Sequence, residues 1–424
     1  MNARETALKV LYDIEFNGAY SNMAVKNALS EKKDMSKQDK ALFTALVYGV
    51  TDKKLTLDYY IRQFSKIRLK KISKYILLIL RMGIYQLVFM DKIPQSAAVN
   101  ESVKLAKRYG HSASAGFVNG VLRSAAGNRI EYPKEQNEYL SVKYSFPIWL
   151  CDRWIEEFGF DFTESMMRAF EENKRITLRP NNLKVTAEEL IKMLSDESIK
   201  AEVSGKTVIT DGFDIEHNRL YREGYFTAQD TAAMMAAEVL APESGEYVID
   251  MCSAPGGKTT HIAEIMKNKG RISAFDIYEH KAEIIRKNAE RLGISIIDVS
   301  VRDASVYDEK LKNTADRVLC DVPCSGLGII GRKPDIKWNR DEESDITSVQ
   351  KKILENGAEY LKKGGALVYS TCTVEKSENE EITAAFLETH KNFEKIYEKT
   401  FYPHTDGTDG FYICKMKKQG YCDD

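Results

Sequence analysis

The sequence predicts a multidomain chain. It has an all-α N-terminal domain over residues 1–127, a helical linker with a small α/β subdomain over 128–220, and a C-terminal α/β domain on a largely parallel, doubly wound sheet over 221–424. Three observations predict this. Apolar residues recur at helical spacing through the first 127 residues. The period changes to that of strands near Arg175. From Phe226 onward, short apolar strands alternate with helices, the pattern of a parallel sheet with helical crossovers. A length of 424 residues fits two or three domains, at roughly 100–200 residues each. An apolar fraction of 43% and a charged fraction of 29% describe an ordinary soluble globular chain with enough material for real cores.

In the first domain the helical repeat is carried by Ala7, Leu8, Leu11 and Ile14, and again by Leu42, Leu46 and Val47. The first sixteen residues have distributed charges and lack the apolar core of a secretory leader. The most apolar stretch, Tyr75 to Met90, is interrupted by Arg81 and Gln86. It falls short of the roughly 20 residues a membrane helix needs, so it reads as a buried bundle helix and no membrane association is expected. Pro94 opens a further helix, and the small residues 112–116 form a turn before a helix over 117–126. Polar residues crowd around Pro133 at a boundary, and Tyr144 to Asn173 read as helical, beginning after Pro147.

The small α/β unit comprises a strand over 175–180, a helix over 187–194 and a hairpin over 201–210 turning at Gly205. The third domain places strands at 247–251, 271–276, 298–302, 316–322 and 366–370, with helices over 280–292 and 344–361. A last strand at 410–416 closes the edge of the sheet in a hairpin.

Charge is divided unevenly. Residues 1–129 hold 22 Lys and Arg against 10 Asp and Glu, whereas the remainder hold 40 against 53. One short basic run, such as Lys66, Arg68, Lys70, Lys71 and Lys74, would read as a solvated face. A surplus spread over a whole domain points to a polyanion, which gains from counterion release as its phosphates are neutralised. The seven cysteines, an odd number, show no CxxC pair or Cys/His cluster. No metal site is expected, and reduced thiols in a cytoplasmic protein are the consistent reading.

The most informative local sequence runs from Asp250 through Met251, Cys252, Ser253, Ala254, Pro255, Gly256, Gly257 and Lys258 to Thr259, leaving a strand and entering a helix. A phosphate-gripping P-loop needs glycine at position 252, which is Cys252, and Pro255 removes one cradling N–H. A dinucleotide fingerprint, G-x-G-x-x-G, is absent. A nucleoside cofactor derived from methionine, without phosphates, fits better. Asp276 ends the next strand, 19 residues after Gly257, where a carboxylate can accept both ribose hydroxyls. Asp303 ends the third strand and could take an adenine amino group; an N-cap or turn is the alternative for either aspartate.

Cys324, in Asp321-Val322-Pro323-Cys324, and Cys372, in Ser370-Thr371-Cys372-Thr373, each follow a strand. If those strands are neighbours, both thiols lie at the sheet edge that carries the cofactor loop. Most free cysteines are small buried hydrophobes, the class assigned to Cys151, Cys320 and Cys414. Strand-end placement beside a carboxylate favours a catalytic role for Cys324 and Cys372, with Asp321 as their partner.

The front half, through KQDKALFTALVYGV and FVNGVLR, resembles the NusB-like RNA-binding helical domain. APGGK, DVPCSG, GRKPDIKW and STCT, in that order, resemble the RNA 5-methylcytosine methyltransferases of the Nol1/Nop2/Sun family, in particular its small-subunit ribosomal RNA branch. The resemblance implies an RRM-like middle subdomain and a Rossmann-like (class I) methyltransferase domain. It also implies S-adenosyl-L-methionine as cofactor and ribosomal RNA as partner; no obligate protein partner is evident. Cofactor contacts are implied for Cys252, Ser253, Ala254, Pro255, Gly256, Gly257, Lys258, Asp276, Asp303 and Asp321. Carbon 5 of cytosine is too poor a nucleophile to take a methyl group unaided. A thiolate adding to carbon 6 makes it electron-rich, a carboxylic group at N3 offsets the developing charge, and a base must later remove the carbon 5 proton. Cys372, Asp321 and Cys324 can fill these roles. The chemistry leaves open which cysteine attacks; the resemblance implies Cys372 as nucleophile and Cys324 in release. Lys333 stands where the family often has histidine and receives no role, and Arg332 and Lys337 either contact phosphate or lie in a solvated loop. Alternatives are the same chemistry on transfer RNA, or a non-enzymatic RNA-binding assembly factor.

Overall fold

The computed structural model describes residues 2–32, 34–128, 130–172, 175–338 and 345–420. The chain divides into two units. One comprises residues 1–168 with 332–340, the other 169–331 with 341–424.

The first unit is helical. Its elements are α1 (Ala3–Asn17), α2 (Ser21–Glu31), α3 (Lys37–Asp52), α4 (Lys54–Phe64), α5 (Lys74–Phe89), α6 (Gln95–Tyr109), α7 (Ser114–Gly127), α8 (Gln136–Tyr144), α9 (Ile148–Phe158) and most of α10 (Phe160–Glu172). Local chemistry sets the ends. The Asn2 side chain accepts the Glu5 N–H to start α1, which stops at Gly18 in the left-handed region, and Ser36 caps α3 through the Asp39 N–H. The apolar stripes meet in one core that includes Leu8, Leu11, Phe43, Leu46, Ile79, Leu80 and Leu122. Arg81, the interruption in the apolar stretch, is buried in a two-pronged bond to Asp58 at 2.7 and 2.9 Å. Among the described residues no helix is long and apolar enough to cross a membrane.

Two expectations change here. Residues 114–116 lie inside α7 rather than in the turn before it. The helix expected from 144 onward is interrupted at Gly159, whose φ of 82° ends α9, while a separate helix, α8, precedes it. Asn173 lies outside the described residues.

The second unit contains two sheets. β1 (Ile176–Pro180), α11 (Ala187–Asp196), β2 (Ala201–Ser204), β3 (Thr207–Thr210), the short α12 (Arg219–Arg222) and β4 (Phe226–Ala228) form a small α/β body with strand order β2-β3-β1-β4, antiparallel throughout. Leu178, Leu190, Leu194, Val208 and Phe226 pack beneath α11. Phe226 thus belongs to the small sheet instead of opening the strand–helix alternation.

That alternation begins with α13 (Thr231–Leu240), followed by β5 (Tyr247–Asp250), α14 (Gly257–Ile265), β6 (Arg271–Asp276), α15 (Glu279–Leu292), β7 (Ile297–Val301), β8 (Ala315–Asp321), α16 (Ile346–Tyr360), β9 (Leu361–Thr371), α17 (Glu380–Thr389), β10 (Phe393–Phe401), α18 (Pro403–Asp406) and β11 (Phe411–Lys418). The strand order is β10-β11-β9-β8-β5-β6-β7, with β9 through β7 parallel. The last strand does enter a hairpin, but it is interior; its partner β10 forms the edge. Two Glu–Lys pairs on β10, Glu394-Lys395 and Glu398-Lys399, mark a charged edge that resists pairing with another chain. Two apolar clusters cover the faces of the sheet, one including Leu354, Tyr369 and Phe386, the other Leu240, Ile262 and Leu292.

Candidate active site

β5 delivers the chain into the turn at 251–256. Gly256, at φ 99°, occupies backbone space that an L side chain rarely adopts. The turn is pinned to β6 by the Ser253 N–H donating to the Phe275 carbonyl at 2.7 Å, closed by Gly256 N–H to Ser253 O at 2.7 Å, and held from α15 by Asn288 donating to Pro255 O at 2.9 Å. The Ala254–Pro255 peptide is cis. Beneath the turn, Asp250 is buried and accepts the Thr259 hydroxyl at 2.7 Å. Burial pushes its carboxyl up to about 7; Asp321 adds to the rise, while Thr259 and Lys258 oppose it.

Lys258 reaches from the start of α14 to Asp321 at the end of β8, with Nζ to Oδ2 at 2.7 Å. Parallel pairing places Ser370 of β9 opposite Asp321, and its hydroxyl donates to Oδ1 at 2.8 Å. Burial pulls the Lys258 ammonium down, but Asp321, then Cys372 and Asp250, outweigh it and leave the group above its ordinary value. A lysine so engaged does not serve as the free cation of a phosphate cradle.

β8 and β9 are neighbours, so the two cysteine loops meet. Cys324 Sγ and Cys372 Sγ lie 3.1 Å apart, and the Cys372 N–H donates to Cys324 Sγ at 3.2 Å. Contact with Cys372 and burial, followed by Glu378, push the Cys324 thiol well above the usual range. The loops are braced from below. The buried Glu378 accepts the Ser325 N–H at 2.9 Å and the Gln350 amide at 3.0 Å, and Gln350 also donates to the Pro323 carbonyl. Asn379 donates to the Thr373 carbonyl at 3.1 Å, and Gly328 N–H donates to the Cys372 carbonyl at 3.0 Å. A Cβ on Gly328 would lie 2.0 Å from the Gly410 carbonyl oxygen, so this approach admits only glycine.

Asp276 closes β6 and Asp303 lies two residues beyond β7. Each spends Oδ1 on a local turn: Asp276 accepts the Tyr278 N–H at 3.1 Å, and Asp303 accepts the N–H and hydroxyl of Ser305 at 2.9 and 2.7 Å. Their Oδ2 atoms take no hydrogen bond from the described residues. Cys252 is half-buried in the turn. Cys151, Cys320 and Cys414 are fully buried, as expected of small hydrophobes. Lys337 does not lie in a solvated loop. It is buried in the helical unit, its Nζ 2.6 Å from Asp52 Oδ1.

Glu378, Gln350 and Ser370 were not singled out in the sequence. Glu378 stands in an acidic run that reads as the solvated start of a helix, and nothing marks Gln350 as buried. Among the described residues no cluster of three or more His, Cys, Asp or Glu side chains could hold a metal ion.

Residues 237–417 match the family model for the 16S rRNA methyltransferase RsmB/F, residues 1–127 that of the NusB family, and residues 146–218 that of the RsmF/B-like ferredoxin-like domain. The chain is 37% identical to the probable ribosomal RNA small subunit methyltransferase B of Bacillus subtilis, over 99% of both proteins. The chain belongs to the RsmB/F methyltransferase family. A second relative, the ribosomal RNA small subunit methyltransferase B of Proteus mirabilis, is 31% identical over 99% of each chain. Among solved structures, that of PH0851 superposes with a TM-score of 0.82 at 28% identity, covering 97% of both chains. A methyltransferase homolog from Pyrococcus horikoshii gives a TM-score of 0.57 at 27% identity, covering 68% of this chain and 99% of its own. Membership in the RsmB/F family accounts for the NusB domain, the ferredoxin-like body and the methyltransferase sheet together.

The residues present fit the methyl donor of such a family. The donor set is a glycine turn and two carboxylates at strand ends, suited to ribose hydroxyls and a cationic centre. A Cβ built on Gly257 would meet the Gln229 side chain at 3.7 Å, ordinary van der Waals contact.

Proposed function

We propose that this protein methylates carbon 5 of a cytosine in small-subunit (16S) ribosomal RNA through a transient bond between Cys372 and carbon 6. S-adenosylmethionine, held by residues 252–258 with Asp276 and Asp303, supplies the methyl group. The observation that carries the reading is the pair of thiols 3.1 Å apart at the ends of adjacent strands, with Asp321 fixed between Lys258 and Ser370. The ribosomal substrate is supported by the names of the Bacillus and Proteus relatives.

In this reading Cys324 holds the proton of the pair while Cys372 attacks carbon 6 as thiolate, with the Lys258 ammonium stabilising the negative sulfur. Asp321 faces N3 and accepts a hydrogen bond from the ring once N3 has taken a proton from solvent, which neutralises the negative charge left by sulfur addition. After transfer, Cys324 passes its proton to the departing Cys372 sulfur and takes up the proton lost from carbon 5, which restores the ring double bond; the pair and N3 then each return one proton to solvent. Attack on carbon 6 needs the face of the ring, so the cytosine enters unstacked.

The test is to incubate the protein with labelled methyl donor and 16S RNA from cells lacking the gene, then map bisulfite-resistant cytosines. New resistance at a defined cytosine is expected. Label on transfer RNA alone would reassign the substrate. RNA binding with no label transferred would favour an assembly factor.

A further inference from the structure

We propose that the helical unit carries a second RNA site, a cleft that takes one unpaired nucleotide, with Trp149, Trp338 and Tyr59 receiving the base and Arg62 the phosphate. The proposal rests on the RNA-methyltransferase reading and adds a contact apart from the cysteines and the cofactor turn, none of whose residues lines the cleft.

The cleft encloses about 480 Å³, within the range of small-molecule sites, about 300–1,000 Å³. Its walls come from α4, from the segment around Pro133 and α8, from the start of α9, and from Lys337 and Trp338, all in one unit. Residues 128–145 fall between the NusB and ferredoxin-like matches, so neither family model covers this part of the wall. The walls are locked in place. Leu55 N–H donates to Ser145 Oγ at 2.9 Å, the Thr56 hydroxyl to Val142 O at 2.6 Å, the Tyr59 hydroxyl to Glu131 O at 2.8 Å, and the Trp338 indole N–H to Thr51 O at 2.8 Å. Tyr59 and Trp338, held by these bonds, spend little ordering entropy on binding.

Its chemistry is that of single-strand recognition, in which bases stack on aromatic rings and cations track the backbone. Lys54 lies 5.2 Å over the Trp338 ring and Arg153 5.2 Å over the Trp149 ring. Lys337 is neutralised by Asp52 and Lys54 by Glu15, at 2.6 and 2.8 Å. Arg62, by contrast, is exposed and makes no ion pair with the described residues. Beyond it, where α4 ends, Lys66, Arg68, Lys70 and Lys71 are exposed and equally unpaired among the described residues. Among the described residues, Glu138 is the single carboxylate on the wall. A proline-rich peptide could use the aromatic rings, but it would leave this row of cations without partners; a phosphodiester chain satisfies both.

The test uses the full chain and unmodified 16S transcript. Trp149→Leu and Arg62→Gln are each expected to raise the Kd and KM for RNA about tenfold, the order of one stacked base or phosphate contact. Kcat at saturating RNA should be unchanged. Trp149→Phe, which keeps a ring, should restore most of the affinity, and Lys104→Gln, away from the cleft, should change nothing. Photo-crosslinks from 4-thiouridine RNA should map to peptides holding Trp149 or Trp338. Unchanged KM in both folded variants, or a peptide in the cleft with RNA affinity intact, overturns the proposal. A wild-type protein that neither binds nor methylates RNA would instead remove the reading on which it rests.

Discussion

Asp250 and Asp321 lie under and beside the same turn, yet their surroundings differ. Asp321 is bonded to an ammonium and a hydroxyl, whereas Asp250 is sealed in with one hydroxyl partner. Burial raises the Asp250 carboxyl from 3.8 to about 7. Because its folded value lies above the unfolded one, its contribution to stability is fully present below about pH 4 and is lost as the pH rises through about 7, by at most about 4 kcal/mol. Asp250→Asn keeps an acceptor for Thr259 and cannot ionise. The melting temperature of this variant relative to wild type, measured without cofactor, should therefore improve between about pH 5 and pH 8. A difference independent of pH would contradict this. At this scale the sequence was most legible where short motifs carry chemistry. Cys324, Cys372 and the turn at 252–258 could be named because their residue types are unusual in their context. Glu378 and Gln350 could not, because burial of a polar side chain depends on what folds over it.

Among the elements, β1 and α14 are joined by the buried Arg179, whose guanidinium donates to the Gly257 carbonyl at 2.7 Å, Thr260 Oγ1 at 3.1 Å and Glu264 at 2.8 Å, and also to Gln229. The small sheet thereby grips the first turn of the helix that follows the glycine turn. Removing one partner of a buried pair strands the other charge, at about 3–5 kcal/mol. Arg179→Met should lower stability by that order in denaturant titrations, and adding Glu264→Met should recover most of it. A double variant no more stable than the single one would show that packing, not the stranded charge, sets the cost. The strands β5, β6 and β8 were legible because buried parallel strands read as continuous apolar runs. β10 was not, since its two Glu–Lys pairs separate Phe393, Ile396, Tyr397 and Phe401 and leave no regular apolar alternation. The break between α9 and α10 was missed because an isolated glycine in a helical pattern does not announce its left-handed conformation.

For the whole molecule, the division of charge is the broadest feature, and it was legible by counting. What counting could not reveal is that residues 332–338 pack into the helical unit, with Lys337 and Trp338 bonded to Asp52 and Thr51. Such long-range pairing leaves no local periodicity. The basic surface predicts a steep salt dependence of RNA affinity. Replacing Lys66, Arg68, Lys70 and Lys71 together by Gln should reduce the slope of log K against log salt by up to about 3, the single-strand value for four neutralised phosphates. An unchanged slope would place the RNA elsewhere.

The proposed chemistry turns on Cys372 bonding to RNA, and gel analysis of denatured Cys324→Ala and Cys372→Ala proteins, after incubation with RNA and methyl donor, tests it. Cys324→Ala should retain a covalent protein–RNA band, because release is blocked after attack, and Cys372→Ala should give neither band nor methylation. A band from Cys372→Ala and none from Cys324→Ala would contradict the account.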